Sequence, residues 1–167
     1  MSKPRPTNQE KTFKDDEIIV SKTDTKGKIT YGNEIFIKMS GYSEKELLGK
    51  PHNILRHPDM PKAIFKLLWD TIKSKNEINA YVKNLSKDGS YYWVLANVTP
   101  SFNQNDEIIG YFSVRRSPSR EALEIVKPLY EKLLSMEKSQ GMNESIKYIE
   151  NLLKEKGMSY EEFILSF

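Results

Sequence analysis

The spacing of apolar and polar positions changes several times along this chain, and each change marks an element. Residues 1 to 16, opening "MSKPRPTNQE", are polar and proline-bearing with no sustained period, and read as a flexible or partner-dependent tail. From Glu17, "EIIVSKTDTKGKITYGN" alternates on either side of the turn "DTKG" and predicts two short strands. "NEIFIKMSGYSEKELLG" then moves to a helical period. Ile35, Phe36 and Met39 share a face, and Ser43 with Glu46 has the spacing of a capping box. "PKAIFKLLWDTIKSK" predicts a longer helix, with Pro61 near its start and Ile64, Phe65, Leu68, Trp69 and Ile72 at helical spacing. Three β-rich runs follow, "EINAYVKNLS", "SYYWVLANVTPSF" and "EIIGYFSVRRS", joined by turns at "KDG" and "NQND" as antiparallel neighbours.

The order of two strands, short helices, one longer helix and three strands predicts an α+β domain over residues 17–117. Its five-stranded antiparallel sheet has helices across one face. From residue 118 to 167 the period is helical. Pro128 is expected to kink the first helix, and Asn143 and Ser159 are expected to cap the next two.

Strand parity places Ile78, Ala80, Val82 and Asn84 on the helix-facing side, with Val94, Ala96 and Val98, and then Gly110, Phe112 and Val114. That side mixes small residues with one amide, which leaves room for a ligand. The other side carries Tyr81, Trp93, Leu95, Ile109 and Tyr111. A sheet apolar on both faces is covered on both faces. The cover is either this chain's own tail or C-terminal helix, or another protein docked on Trp93, Leu95 and Tyr111.

Composition narrows the function classes. No apolar run is long enough to span a bilayer, so direct membrane insertion is not expected, and the N-terminus lacks a signal-peptide core. With no cysteine, disulfides, thiolate metal sites and cysteine nucleophiles are absent, and a cytoplasmic protein is the natural reading. The net charge is +3, divided as +5 over residues 1–119 and −2 over 120–167. The basic residues are scattered, which argues against a nucleic-acid partner. There is no Gly-rich phosphate loop and no metal-ligand spacing, so an enzyme is not expected.

"PHNILRHPDMP", residues 51 to 61, stands apart. Three prolines remove amide donors and stiffen a loop that carries His52, Arg56, His57 and Asp59. On the residues alone, either these donors hold a bound group, or Asp59 caps the following helix and pairs with Arg56 at the surface.

With "GYSEKELLGKPHNILRHPDMP", "KNLSKDGSYYWV" and "GYFSVRR" in view, the run from Glu17 to Ser117 resembles a PAS domain. It is similar to the flavin-binding sensors of bacterial aerotaxis and energy taxis, and the similarity continues into "EIVKPLYEKL". A chain of this kind, without a membrane span, is most similar to the stand-alone PAS half of a bipartite energy-taxis system. The resemblance implies FAD as cofactor, with Arg56, His57 and Asp59 needed for its binding and Asn84 against the ring edge. Asn33 borders the same cleft, although a turn-forming role fits it better, and Trp69 reads first as helix core and second as a cavity wall. Two departures matter. Ile78 stands where these receptors often carry Trp, and His52 stands where light-sensing relatives carry the cysteine that forms a photoadduct, which excludes that chemistry here.

The implied function is a non-enzymatic redox sensor, recruited to the inner face of the membrane by a separate chemoreceptor of the methyl-accepting type. A homodimer through the flanking helices is compatible. The alternatives are a haem-binding gas sensor with His52 or His57 as axial ligand, and a cofactor-free interaction module.

Overall fold

The computed structural model describes residues 2–167. Its elements are β1 (Ile19–Thr23), β2 (Ile29–Gly32), α1 (Glu34–Ser40), α2 (Glu44–Leu47), a 3-10 turn (His52–Leu55), α3 (Lys62–Lys73), β3 (Ile78–Leu85), β4 (Tyr91–Phe102), β5 (Ile108–Arg116), α4 (Arg120–Gln140), α5 (Met142–Lys156) and α6 (Tyr160–Leu165). The strands form one antiparallel sheet in the order β2-β1-β5-β4-β3. Two of the expected caps form. Ser43 and Glu46 make the reciprocal capping box of α2, and Ser159 caps α6. Asn143 does not cap α5; that helix starts at Met142, after Gly141, with no side-chain cap and with Asn143 inside its first turn. α4 runs continuously through Pro128, although proline withholds one helical amide donor there.

The register between β4 and β5 corrects the parity reading. Phe102 opposes Ile108, but a bulge lies between Ser101 and Phe102, so Ser101 opposes Gly110, Val98 opposes Ser113 and Ala96 opposes Arg115. Without the bulge, Val98 would face Phe112 and Ala96 would face Val114. One extra residue turns every following side chain to the other face. Tyr111, Ser113 and Arg115 therefore join the helix-facing side. Gly110, Phe112 and Val114 go to the outer side, and Tyr111 leaves the expected docking face.

The C-terminal helices account for most of what covers the β3–β4 part of that outer face. Trp93 is buried against Tyr130 of α4 at 5.9 Å between ring centroids, and Tyr81 stacks on Phe167 at 6.1 Å. Trp93 and Tyr81 are thus core residues of this chain, and Leu95 is half-buried.

The free edge of β3 is closed as well. Glu161 of α6 accepts from the Asn79 amide, the Tyr130 hydroxyl donates to the Tyr81 carbonyl, and the His57 amide donates to the Lys83 carbonyl. An edge strand left bare would template pairing with another chain.

The expected flexible tail is docked. Lys11 donates its amide to the Tyr91 carbonyl, and Tyr91 donates back to Gln9. Since β5 stops at Arg116, opposite Leu95, the tail takes the strand position left beside the start of β4. Gly89 is required beneath it, because a Cβ there would lie 2.1 Å from the Arg5 carbonyl oxygen.

Candidate binding cavity

Between α3, the 3-10 turn and the inner face of the sheet lies a cavity of about 180 Å³. The register places Val82 and Asn84 of β3, Ala96 and Val98 of β4, and Tyr111, Ser113 and Arg115 of β5 in one wall. α3 supplies Phe65, Leu68, Trp69 and Ile72 opposite, and His52 and Arg56 close one side. The exposed Lys26 and Asn53 mark the mouth. The volume slightly exceeds the roughly 150 Å³ that accepts one benzene ring. A fused three-ring system would need more room than this.

Several polar groups in this largely apolar wall are incompletely partnered. Asn84 is buried in β3 with no partner for its amide nitrogen, and the Nε atoms of Arg56 and Arg115 also lack one. Buried polar atoms are normally hydrogen-bonded, so these donors fit a ligand that presents acceptors. Arg56 lies flat on Phe65, its guanidinium carbon 3.6 Å from the ring centroid. Lys3 of the docked tail donates to the Arg56 carbonyl.

A second cluster has Arg115 at its centre. Its guanidinium donates to Ser21 Oγ and lies 3.3 Å from His52 Nε2 and 5.0 Å from the Phe36 ring centroid. Burial lowers the Arg115 pKa to about 10. His52 is pushed down to about 3, first by burial and then by the adjacent Arg115, so it stands neutral near pH 7. Its Nε2 also faces Ser21 Oγ at 3.2 Å.

Of the residues singled out from sequence, Arg56, Asn84, His52 and Trp69 line the cavity, and His57, Asp59, Asn33 and Ile78 do not. The backbone hydrogen bond from His57 to Lys83 holds the loop across the β3 edge, so the motif divides. Arg56 stays inside, while His57 is packed edge-on against Tyr91 at 6.1 Å and Asp59 pairs with Lys83 at 3.0 Å outside. Asn33 caps α1, accepting from the amides of Phe36 and Val20 and donating to the Ile18 carbonyl. Ile78 shares the inner face but is buried in the core beyond the cavity lining. Arg115, Ser113 and Ser21 were not anticipated. The doublet "RR" ending β5 is the available signal, since alternation buries one arginine and exposes the other, but only the bulged register says which.

Comparison with known proteins fits this geometry. A family model described as the PAS fold matches residues 29–115, just over half of the chain. The chain belongs to the PAS-fold family. It is 42% identical over 132 residues, 79% of its length, to the aerotaxis receptor of Escherichia coli (strain K12), and spans 26% of that receptor. Among solved structures it is similar to a light-oxygen-voltage domain studied with a flavin analogue, at a TM-score of 0.59 and 20% identity, covering 68% of this chain and 87% of that one. The light-state structure of the Aureochrome1 light-oxygen-voltage domain gives a TM-score of 0.56 and 25% identity over 72% of this chain and 91% of that one. The PAS fold and a sensory role of PAS type follow, and no catalytic family is among these matches. No described helix is long and apolar enough to cross a membrane.

Proposed function

We propose that this chain is a flavin-binding PAS redox sensor, with FAD as its cofactor, which passes its state to a membrane chemoreceptor carried on a separate chain in an energy-taxis response. The observation that carries this reading is the set of unpartnered buried donors on Asn84, Arg56 and Arg115 around one apolar cavity. An isoalloxazine ring offers carbonyl and ring-nitrogen acceptors along its edge and apolar faces for Phe65, Leu68 and Trp69. The similarity to the aerotaxis receptor over 79% of the chain supports the same assignment.

In this reading Asn84 orients the ring edge, and α3 and the sheet exclude water from its faces. When bound, the flavin supplies reversible electron transfer. The chain's own contribution is to hold the ring and let changed hydrogen bonding at Asn84 and Arg115 bias the strands that bear them. β3 also carries Tyr81, against which Tyr130 and Phe167 pack, which gives a physical route to the C-terminal helices. A haem reading is weaker: His52 Nε2 already faces Arg115 and Ser21, and His57 lies outside the cavity lining.

Titration of the cofactor-stripped chain with FAD tests the assignment through quenching of flavin fluorescence. Saturable binding at unit stoichiometry is expected, and Asn84→Leu is expected to weaken it by about tenfold, roughly 1.4 kcal/mol. Binding untouched by Asn84→Leu would remove the ligand from this cavity.

A further inference from the structure

Arg115 is only 3% exposed, yet no carboxylate lies within ion-pair distance of it among the described residues. A buried cation without a counter-charge costs several kcal/mol. The groups around it recover part of this and supply no negative charge. Ser21 and His52 are neutral neighbours, and the Phe36 ring gives a cation–π contact. Guanidinium offers five N–H donors in a planar fork. Ser21 and His52 take up one side of it, while Nε is buried without a partner and the residue lines the cavity. Asn84, by contrast, carries no charge and stands on β3, across β4 from Arg115 on β5.

We propose that Arg115 is the charge anchor of the cavity: it faces an acceptor edge of the bound heteroaromatic ring and holds that ring more tightly when the ring carries negative charge. This rests on the flavin reading and deepens it, because it names the ring rather than the diphosphate as the partner of this arginine. It also assigns Arg115 a part in sensing. A flavin ring reduced by two electrons from an external donor (dithionite in the test below), with one proton taken up, would carry a negative charge, and a fixed cation at its edge would stabilise that form over the neutral oxidised one. Arg56, stacked on Phe65 next to the exposed Asn53, is left to serve the parts of the ligand nearer the mouth.

The test uses the full chain, stripped of cofactor, as wild type, Arg115→Lys and Arg115→Met. Each is titrated with riboflavin and with FAD, oxidised and then dithionite-reduced under anaerobic conditions, and the melting temperature is recorded with and without ligand. Arg115→Met is expected to weaken oxidised riboflavin and FAD alike by about tenfold, and the reduced forms by more, with Arg115→Lys between. Without ligand, Arg115→Met is expected to melt at or above the wild-type temperature, because the substitution removes an unpaired buried charge. A variant that loses FAD but keeps riboflavin at wild-type affinity overturns the proposal, since Arg115 then holds phosphate. Equal losses for oxidised and reduced ring overturn the charge selectivity. A ligand-free Arg115→Met chain that melts well below wild type, or does not fold, makes Arg115 part of the scaffold and overturns it too. Wild-type chain that binds neither riboflavin nor FAD overturns the flavin reading itself, an outcome distinct from the other three.

Discussion

The hydroxyl of Tyr130, in α4, donates to the backbone carbonyl of Tyr81, in β3, at 2.6 Å. Both residues are buried, and this bond joins the Glu161–Asn79 contact and the Trp93–Tyr130 packing in fastening the C-terminal helices to the edge of the sensory sheet. Tyr130→Phe leaves a buried carbonyl unpaired at nearly constant shape, a loss of about 1–3 kcal/mol. Thermal denaturation should show a fall of several degrees. An unchanged melting temperature would mean that the helices are held elsewhere.

Truncation after Lys138 tests the cover more broadly. It removes Tyr160, Phe163 and Ile164, all buried, together with the Glu161 contact to the Asn79 amide and the Phe167 stack on Tyr81. Burial of each such side chain is worth about 1.5–3 kcal/mol as an upper bound. The shortened chain should melt lower, bind a hydrophobic dye and self-associate through the exposed β3 edge. A monomeric, dye-silent product would show that α5 and α6 are not the cover.

The division of the 56–59 loop predicts unequal effects. Arg56→Ala removes a cavity-wall side chain and should lower flavin occupancy strongly. Asp59→Ala removes only the outside partner of Lys83 and should act through loop position, with a smaller loss that Asp59→Asn largely restores. Flavin content after purification measures both. Equal losses in the two alanine variants would contradict this geometry.

Acid should destabilise the fold through its histidines. His52 is lowered to about 3, by burial and then Arg115. His57 is lowered to about 4, by burial and then Lys83, against an opposing contribution from Asp59. An unfolded histidine takes up a proton near pH ~6.5. Between that value and about pH 4 the unfolded chain therefore binds more protons than the folded one. The histidine contribution is complete above the unfolded value and is lost as pH falls. Melting temperature should drop across this window, and His52→Gln should flatten the slope.

Much of this fold was legible. The strand boundaries, the capping box of α2 and the inward placement of Asn84 rest on short-range rules that a sequence carries openly. Two features were not. The bulge at Ser101/Phe102 is one unpaired residue in a hairpin, and it moved Tyr111 and Arg115 from one face to the other. The docking of residues 3–11 depends on β5 ending opposite Leu95, a long-range fact without local signature. Hence Tyr111, which simple alternation puts on the outer face, packs edge-on against Trp69 at 5.5 Å in the cavity wall. Tyr111→Ala should alter the spectrum or affinity of the bound flavin, whereas Trp93→Ala should lower stability and leave the flavin spectrum unchanged. The reverse pattern would restore the unbulged register.

Whether this cavity holds FAD is read from the visible absorption spectrum of the purified full chain. Oxidised-flavin bands that bleach with dithionite and return in air are expected, with a heat-released cofactor that co-migrates with FAD. A Soret band, or a colourless chain that takes up no added FAD, would contradict the FAD assignment.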